Sequence, residues 1–329
     1  METSIRHFTE DDYAAALAVF NAVFPDYQHT VAEWRHRDAK KEARIDWGRL
    51  LAEVEGRVVG MATWDQFSCA YHPRKFIVEV MVHPDHRRRG IGGALYERLM
   101  AELAPRDPML LRGEVNEANA DGVRFGQTRG FVENHRQRES MLEFADFAVE
   151  RFADDLERVA AQGIAIRGLP ELRRTVPDWK RRYHELDQQV SADVPWPDPH
   201  TDVPFEVWCG KEIEHPNFVP ELHMIALDGD RWVGLSNLWR TGIHKRLNTG
   251  LTGVVRDYRK RGIATALKVR AAAAAKALGF ACTMTWNEQG NEGMLGINER
   301  LGFRFRPAGL ETELVLDAEA VAAESAGAS

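Results

Sequence analysis

The chain repeats itself, and the repeat constrains the fold more than any single motif. His83-Pro84-Asp85-His86-Arg87-Arg88-Arg89-Gly90-Ile91-Gly92 returns as Arg256-Asp257-Tyr258-Arg259-Lys260-Arg261-Gly262-Ile263-Ala264. Gly90 and Gly262 are 172 residues apart, and Gly130-Phe131 and Gly302-Phe303 keep the same spacing. Upstream the register drifts to 174 between Val59-Gly60 and Val233-Gly234, and to 161 between Ile5-Arg6 and Ile166-Arg167. The second copy therefore carries about 13 extra residues near its start. A chain of 329 residues is also longer than a single core usually grows, so two related domains are expected.

Each copy reads as strand, helices, hairpin, strand, helix, strand, helix, strand, an α/β (α+β) pattern. Alternation over Leu50–Trp64 with a turn at Glu55-Gly56 predicts a hairpin, repeated around Asp228-Gly229-Asp230. Phe76–Val82 reads as the strand entering the first glycine loop. Helices follow both loops, Ile91–Leu103 stopped by Pro105 and Ile263–Leu278 closed by Gly279. These signals divide the chain into an N-terminal domain over 1–145, a helical linker over 146–163, a C-terminal domain over 164–317 and a flexible tail over 318–329.

Composition narrows the partners. Fifty acidic against 43 basic residues leave a formal charge of −7, which argues against nucleic acid as a general partner. No apolar run is long enough to span a bilayer and the N-terminus lacks a secretory signature, so a cytoplasmic protein with no membrane partner is expected. Cys69, Cys209 and Cys282 are few, odd in number and scattered, which suits neither a disulfide framework nor a metal site.

A strand that runs through a basic, glycine-containing turn into a helix gathers unpaired amides and the positive helix end at one point. That geometry suits a pyrophosphate. One such loop would also be explained as a solvated basic turn; two in matching contexts favour the cradle. The spacing is neither the dinucleotide fingerprint nor the P-loop. It resembles the R/Q-x-x-G-x-G/A signature of the GCN5-related N-acetyltransferase (GNAT) superfamily. The matches are Arg87-Arg88-Arg89-Gly90-Ile91-Gly92, continued by Gly93, and Arg259-Lys260-Arg261-Gly262-Ile263-Ala264, continued by Thr265. Asn119 before Gly130-Phe131 and Asn291 before Gly302-Phe303 fit the same pattern downstream.

The resemblance covers almost the whole chain, once per half, in a tandem arrangement of the kind exemplified by mycothiol synthase. It implies two acyl-CoA N-acyltransferase domains, each a mixed, mainly antiparallel splayed sheet flanked by helices, with acetyl-CoA as acyl donor and no metal. The loop residues and both Asn would bind CoA. The strand ends, Met81 and Val82 in one half and Val254 and Val255 in the other, would offer backbone groups to pantetheine and to the thioester carbonyl.

The same resemblance places a general base five residues before the Asn and an acid Tyr seven after it. Glu114 holds the first position, while Gly126 stands at the second; the other half has Trp286 and Asn298. The first half adds Glu79 and His83 on and beside its central strand, so Glu114, Glu79 and His83 are its catalytic candidates. In the second half the Pro-rich stretch Ser191 to Asn217, with Trp196 and Trp208, reads either as an acceptor-binding lid or as a packing loop. The acceptor would be an amine of a small molecule or peptide, and the protein a monomer or homodimer. The missing acid Tyr keeps a second reading open, a non-catalytic acyl-CoA-binding or regulatory protein.

Overall fold

A computed structural model describes residues 3–194 and 198–327, with side chains described through Glu324. The chain forms two units, 1–137 with 307–329, and 138–306.

The first unit contains β1 (Thr3–His7), α1 (Tyr13–Val23), α2 (Val31–Ala39), β2 (Gly48–Val54), β3 (Arg57–Asp65), β4 (Lys75–Val82), α3 (Ile91–Leu103), β5 (Leu110–Asn116), α4 (Ala120–Gln127) and the first half of β6 (Val132–Glu143). The second contains the rest of β6, then α5 (Ala153–Ala160), β7 (Ile164–Gly168), α6 (Leu169–Thr175), α7 (Trp179–Ser191) and α8 (Phe205–Trp208). It continues through β8 (His223–Asp228), β9 (Arg231–Arg240), β10 (Arg246–Val254), α9 (Ile263–Ala277), β11 (Cys282–Glu288), α10 (Glu292–Leu301) and β12 (Arg304–Phe305). The chain then returns to the first unit as β13 (Gly309–Val315) and α11 (Ala318–Gly327).

Local chemistry accounts for most of these elements. Glu55 and Gly56 both take positive φ, the conformation a two-residue hairpin needs to match strand twist. Thr30 accepts from the Glu33 amide and Glu33 reaches back to Thr30, a capping box that starts α2. In α3, Ile91, Leu95, Leu99 and Leu103 recur on one face and bury it against β2 to β5. The opposite face of that sheet packs on α1 and α2 through Leu51, Met61 and Met81.

The first sheet runs β1-β2-β3-β4-β5-β13-β6; the second runs β6-β11-β10-β9-β8-β7, with β12 on the other side of β6. In each, the central pair is parallel and brief. β4 and β5 pair from Lys75↔Leu110 to Ile77↔Arg112, and β10 and β11 from Arg246↔Cys282 to Asn248↔Met284, while all four strands continue beyond. The two sheets are thus mixed, mainly antiparallel and splayed, as expected.

The division of the chain differs from the sequence-based one. The slot between β5 and β6 is filled by β13, from the far end of the chain, and the slot beside β11 is filled by β6 from the first copy. The copies have exchanged a strand, which moves the boundaries to 137/138 and 306/307. Residues 153–160 form α5 inside the second unit instead of a separate linker, and the stretch expected to fray is α11, tied to β4 by a Lys75–Glu324 ion pair of 2.6 Å.

Candidate active site

The two glycine loops have one backbone. Arg88 and Lys260 take φ of 62° and 60°, and Gly90 and Gly262 follow with 82° and 84° before the helix begins. The first arginine of each turns back, Arg87 Nε donating to the Val82 carbonyl at 3.1 Å and Arg259 Nε to Val254 at 3.0 Å. These two guanidinium groups therefore brace the loop from inside. Arg89 donates to the Asp85 carbonyl, and Arg88 is largely exposed.

What surrounds the loops differs. At Gly90 a Cβ would meet nothing within 4 Å among the described residues, while one at Gly262 would lie 3.5 Å from Val159 of α5. Gln162, just past α5, exchanges two hydrogen bonds with Arg261, and Asp155 of α5 pairs with Arg300 of α10 at 2.9 Å. Asp193 holds both Arg256 and Arg259. Helix α5 of its own unit thus packs beside the second loop, and no such neighbour stands within 4 Å of the Gly90 position among the described residues.

Beside the first loop stands a cation that sequence reasoning missed. Arg129 lies 3.5 Å from the Phe125 ring centroid and 4.9 Å from that of Tyr96, with Nη2 3.6 Å from where a Gly93 Cβ would be. Its counterpart at the repeat distance is Leu301, and Tyr96 is matched by Lys268. A cation in one copy against an apolar residue in the other was the available signal. Asn119 and Asn291 cap α4 and α10, accepting from the amides of Gly122 and Met294. Met81, Val254, Val255, Ile263 and Thr265 are buried, so only their backbones are available to a ligand.

On the first sheet, strand alternation puts Thr63, Glu79 and Met81 on the face of α1 and α2. Carrying the β4/β5 register past Ile77↔Arg112 sets Glu79 and Glu114 side by side on that face, at the point where the strands part. Glu79 is half-buried and takes a 3.4 Å hydrogen bond from Thr63 Oγ1; burial pushes its carboxyl up, opposed mainly by Arg37. Glu114 is exposed and lies opposite Glu311 of β13. His83 uses Nδ1 to accept from the Asp85 amide in the turn after β4.

The matching face of the second sheet is filled. Tyr183 Oη and His223 Nδ1 are 2.7 Å apart, Asn237 donates to Tyr183 at 3.1 Å, and Asn237 Oδ1 accepts from Trp239 and from the Leu251 amide. Burial pushes His223 down to about 3, which keeps it neutral. Leu251 has the rank of Glu79, eleven residues before its glycine, and sits in a bulge of β10 between Thr249 and Thr252. Trp208 is only 3% exposed and donates to Asp187, so it anchors the core. Trp196 lies outside the described residues.

Comparison with known proteins gives the family and the fold. A profile of the acetyltransferase (GNAT) family matches residues 13–131 and again 178–303. An L-methionine sulfoximine/L-methionine sulfone acetyltransferase of Salmonella typhimurium is 28% identical over 141 residues, covering 39% of this chain and 80% of that protein. The L-amino acid N-acyltransferase MnaT of Escherichia coli is 29% identical over 142 residues, covering 39% and 79%. Among solved structures, a tandem GNAT protein from the clavulanic acid biosynthesis pathway superposes with a TM-score of 0.74 at 16% identity, covering 95% of this chain and 98% of its own. A GCN5-related N-acetyltransferase from Sphaerobacter thermophilus gives 0.67 at 18%, covering 95% of each. No helix among the described residues is long and apolar enough to cross a membrane.

Proposed function

The chain belongs to the acetyltransferase (GNAT) family, twice over, and from that premise we propose that it is an acetyl-CoA-dependent N-acetyltransferase whose first unit carries the chemistry. The observation that carries this reading is the pairing, in that unit alone, of an open glycine loop with two carboxylates at the splay of β4 and β5.

The pyrophosphate of CoA would rest on the amides around Gly90 and the positive end of α3, with Arg88 and Arg129 as nearby cations. Pantetheine would follow the opening between β4 and β5, and a backbone amide near Val80 to Val82 would steady the oxyanion. The acceptor amine, on the α1 and α2 face, would give up a proton to Glu114, directly or through water, and attack the thioester carbonyl. The new N–C bond forms, the C–S bond breaks, and the thiolate of CoA leaves. A thiol with a pKa near ~8.5 departs without an obligatory acid, so the missing Tyr is tolerable. Glu79, its pKa raised by burial, is the alternative base. His83 is the weaker candidate, because its Nδ1 already serves the turn.

The acceptor is an amine, and the names of the two relatives make amino acids the first to test. The assay is release of free thiol from acetyl-CoA across a panel of L-amino acids, amino sugars and diamines. Turnover that needs an amine and disappears in Glu114→Gln supports the proposal. Saturable acetyl-CoA binding with no amine-dependent thiol release would favour the non-catalytic reading.

A further inference from the structure

We propose that Gly309, at the start of β13, is a positioning residue for the base of the first unit, its absent side chain being the seat of the Glu114 carboxylate. The inference rests on the reading of Glu114 as base. In the β5/β13 ladder Asn116 faces Gly309 and Glu114 faces Glu311, so the Gly309 position lies diagonally across from Glu114 on the same face. A Cβ built on Gly309 would fall 2.9 Å from Glu114 Oε1, closer than real Cβ atoms come, and because that oxygen ends a flexible, exposed side chain the carboxylate would swing out of its seat to make room. Gly309 is not among the glycines with positive φ, so its backbone is one any residue adopts. A strand glycine weakens its ladder, and here the reason for it is space for an approaching group.

The seat is held firmly. Glu117 accepts from the Ala308 amide at 2.7 Å through Oε1, and its own amide donates to the Ala308 carbonyl at 2.9 Å. Asn116 donates to the Pro307 carbonyl at 3.3 Å, and Gly309 also faces Gln137 of β6. Gln137 donates to the Glu311 carboxylate, which draws that second acid toward β6. The residues that shape the base thus come from the segment after the second copy and reach the first unit only through the strand exchange. In the second copy's own sheet, β6 fills the corresponding slot and Trp286 stands at the Glu114 position.

The test is a double-mutant cycle between Gly309→Ala and Glu114→Gln, read in acetyl transfer by the full-length protein. Gly309→Ala should lower kcat about tenfold or more, leave the KM for acetyl-CoA within about twofold, and cost nothing further in the Glu114→Gln background. Full kcat in a folded Gly309→Ala, or losses that multiply in the double variant, would overturn the seat. A fully active Glu114→Gln would instead overturn the base assignment on which it rests. Thermal melting gives an independent arm should Gly309→Ala fold poorly. The change in Tm that the methyl group brings should be less favourable beside Glu114 than in Glu114→Ala, where the carboxylate is gone; equal shifts in both backgrounds would refute the contact.

Discussion

The two glycine loops have the same backbone and opposite surroundings. At Gly90 a Cβ would meet nothing within 4 Å among the described residues, and Arg129 stands in the turn after α4; beside Gly262 lie Val159 of α5 and Gln162 just past it. The faces of the two sheets differ in the same sense, carboxylates at a splay in one and a buried Tyr183, His223 and Asn237 network across a bulge in the other. A retained loop backbone therefore does not carry retained surroundings. Loop geometry is needed for the strand-to-helix turn whether or not an anion arrives, and on the reading proposed above the element packed beside it sets whether one can bind.

The most severe test of this contrast is stoichiometry. One acetyl-CoA per chain is expected by calorimetry; Gly90→Glu should weaken binding at least about a hundredfold by bulk and like charge, and Gly262→Glu should leave it unchanged. Two sites per chain would show that α5 yields. Next in size, Glu114→Gln should cut kcat by roughly 10²–10³, with partial recovery at high pH as free amine accumulates, whereas Trp286→Phe should cost little. Steady-state rates over a pH series decide between them.

A smaller effect concerns stability. Lys268, at the place of Tyr96, is buried with its ammonium 5.3 Å from the Phe303 ring, and burial lowers its pKa to about 8 from 10.5. The unfolded chain holds the proton more tightly, so this group's penalty is full below pH 8 and fades as pH rises toward 10.5. Lys268→Met should raise stability at pH 7 by roughly 1–3 kcal/mol, seen as a higher urea midpoint, with the gain shrinking above pH 8. No gain at pH 7 would mean that the ammonium is better solvated than its burial indicates. Smallest of all, Arg129→Ala should weaken acetyl-CoA about five- to tenfold, more at low salt than at high, and Leu301→Ala should not change it.

Much of this was legible in the residues. The register of 172 located both loops and both following helices, and alternation around Glu55-Gly56 and Asp228-Gly229-Asp230 located both hairpins, because glycines at positive φ and apolar stripes are local requirements. Glu114 was reachable through the family resemblance, by its spacing of five residues from Asn119, and Glu79 by its place on the strand that enters the first loop. The strand exchange was not, since periodicity says that Gly309–Val315 is a strand and nothing about which edge it joins. Nor was the cover over Gly262: α5 carries Asp154, Asp155 and Arg158 on a sequence that reads as a solvated linker, and only Val159 and Gln162 turn it toward the loop. For Trp208 the packing alternative holds: an aromatic in a Pro-rich stretch also suggests a ligand wall, but its indole N–H serves the half-buried Asp187 carboxylate.

The exchange also sets an order of events during synthesis. Residues 138–306 form one uninterrupted stretch and hold the second half of β6 and all the other strands of the second sheet, so that unit can close as soon as it has left the ribosome. The first unit is made earlier and must wait, with β5 and β6 unbridged, until β13 emerges. The half that reads first is thus the half that finishes last, and a nascent chain stalled near residue 306 would show a protease-resistant second half and a cleavable first.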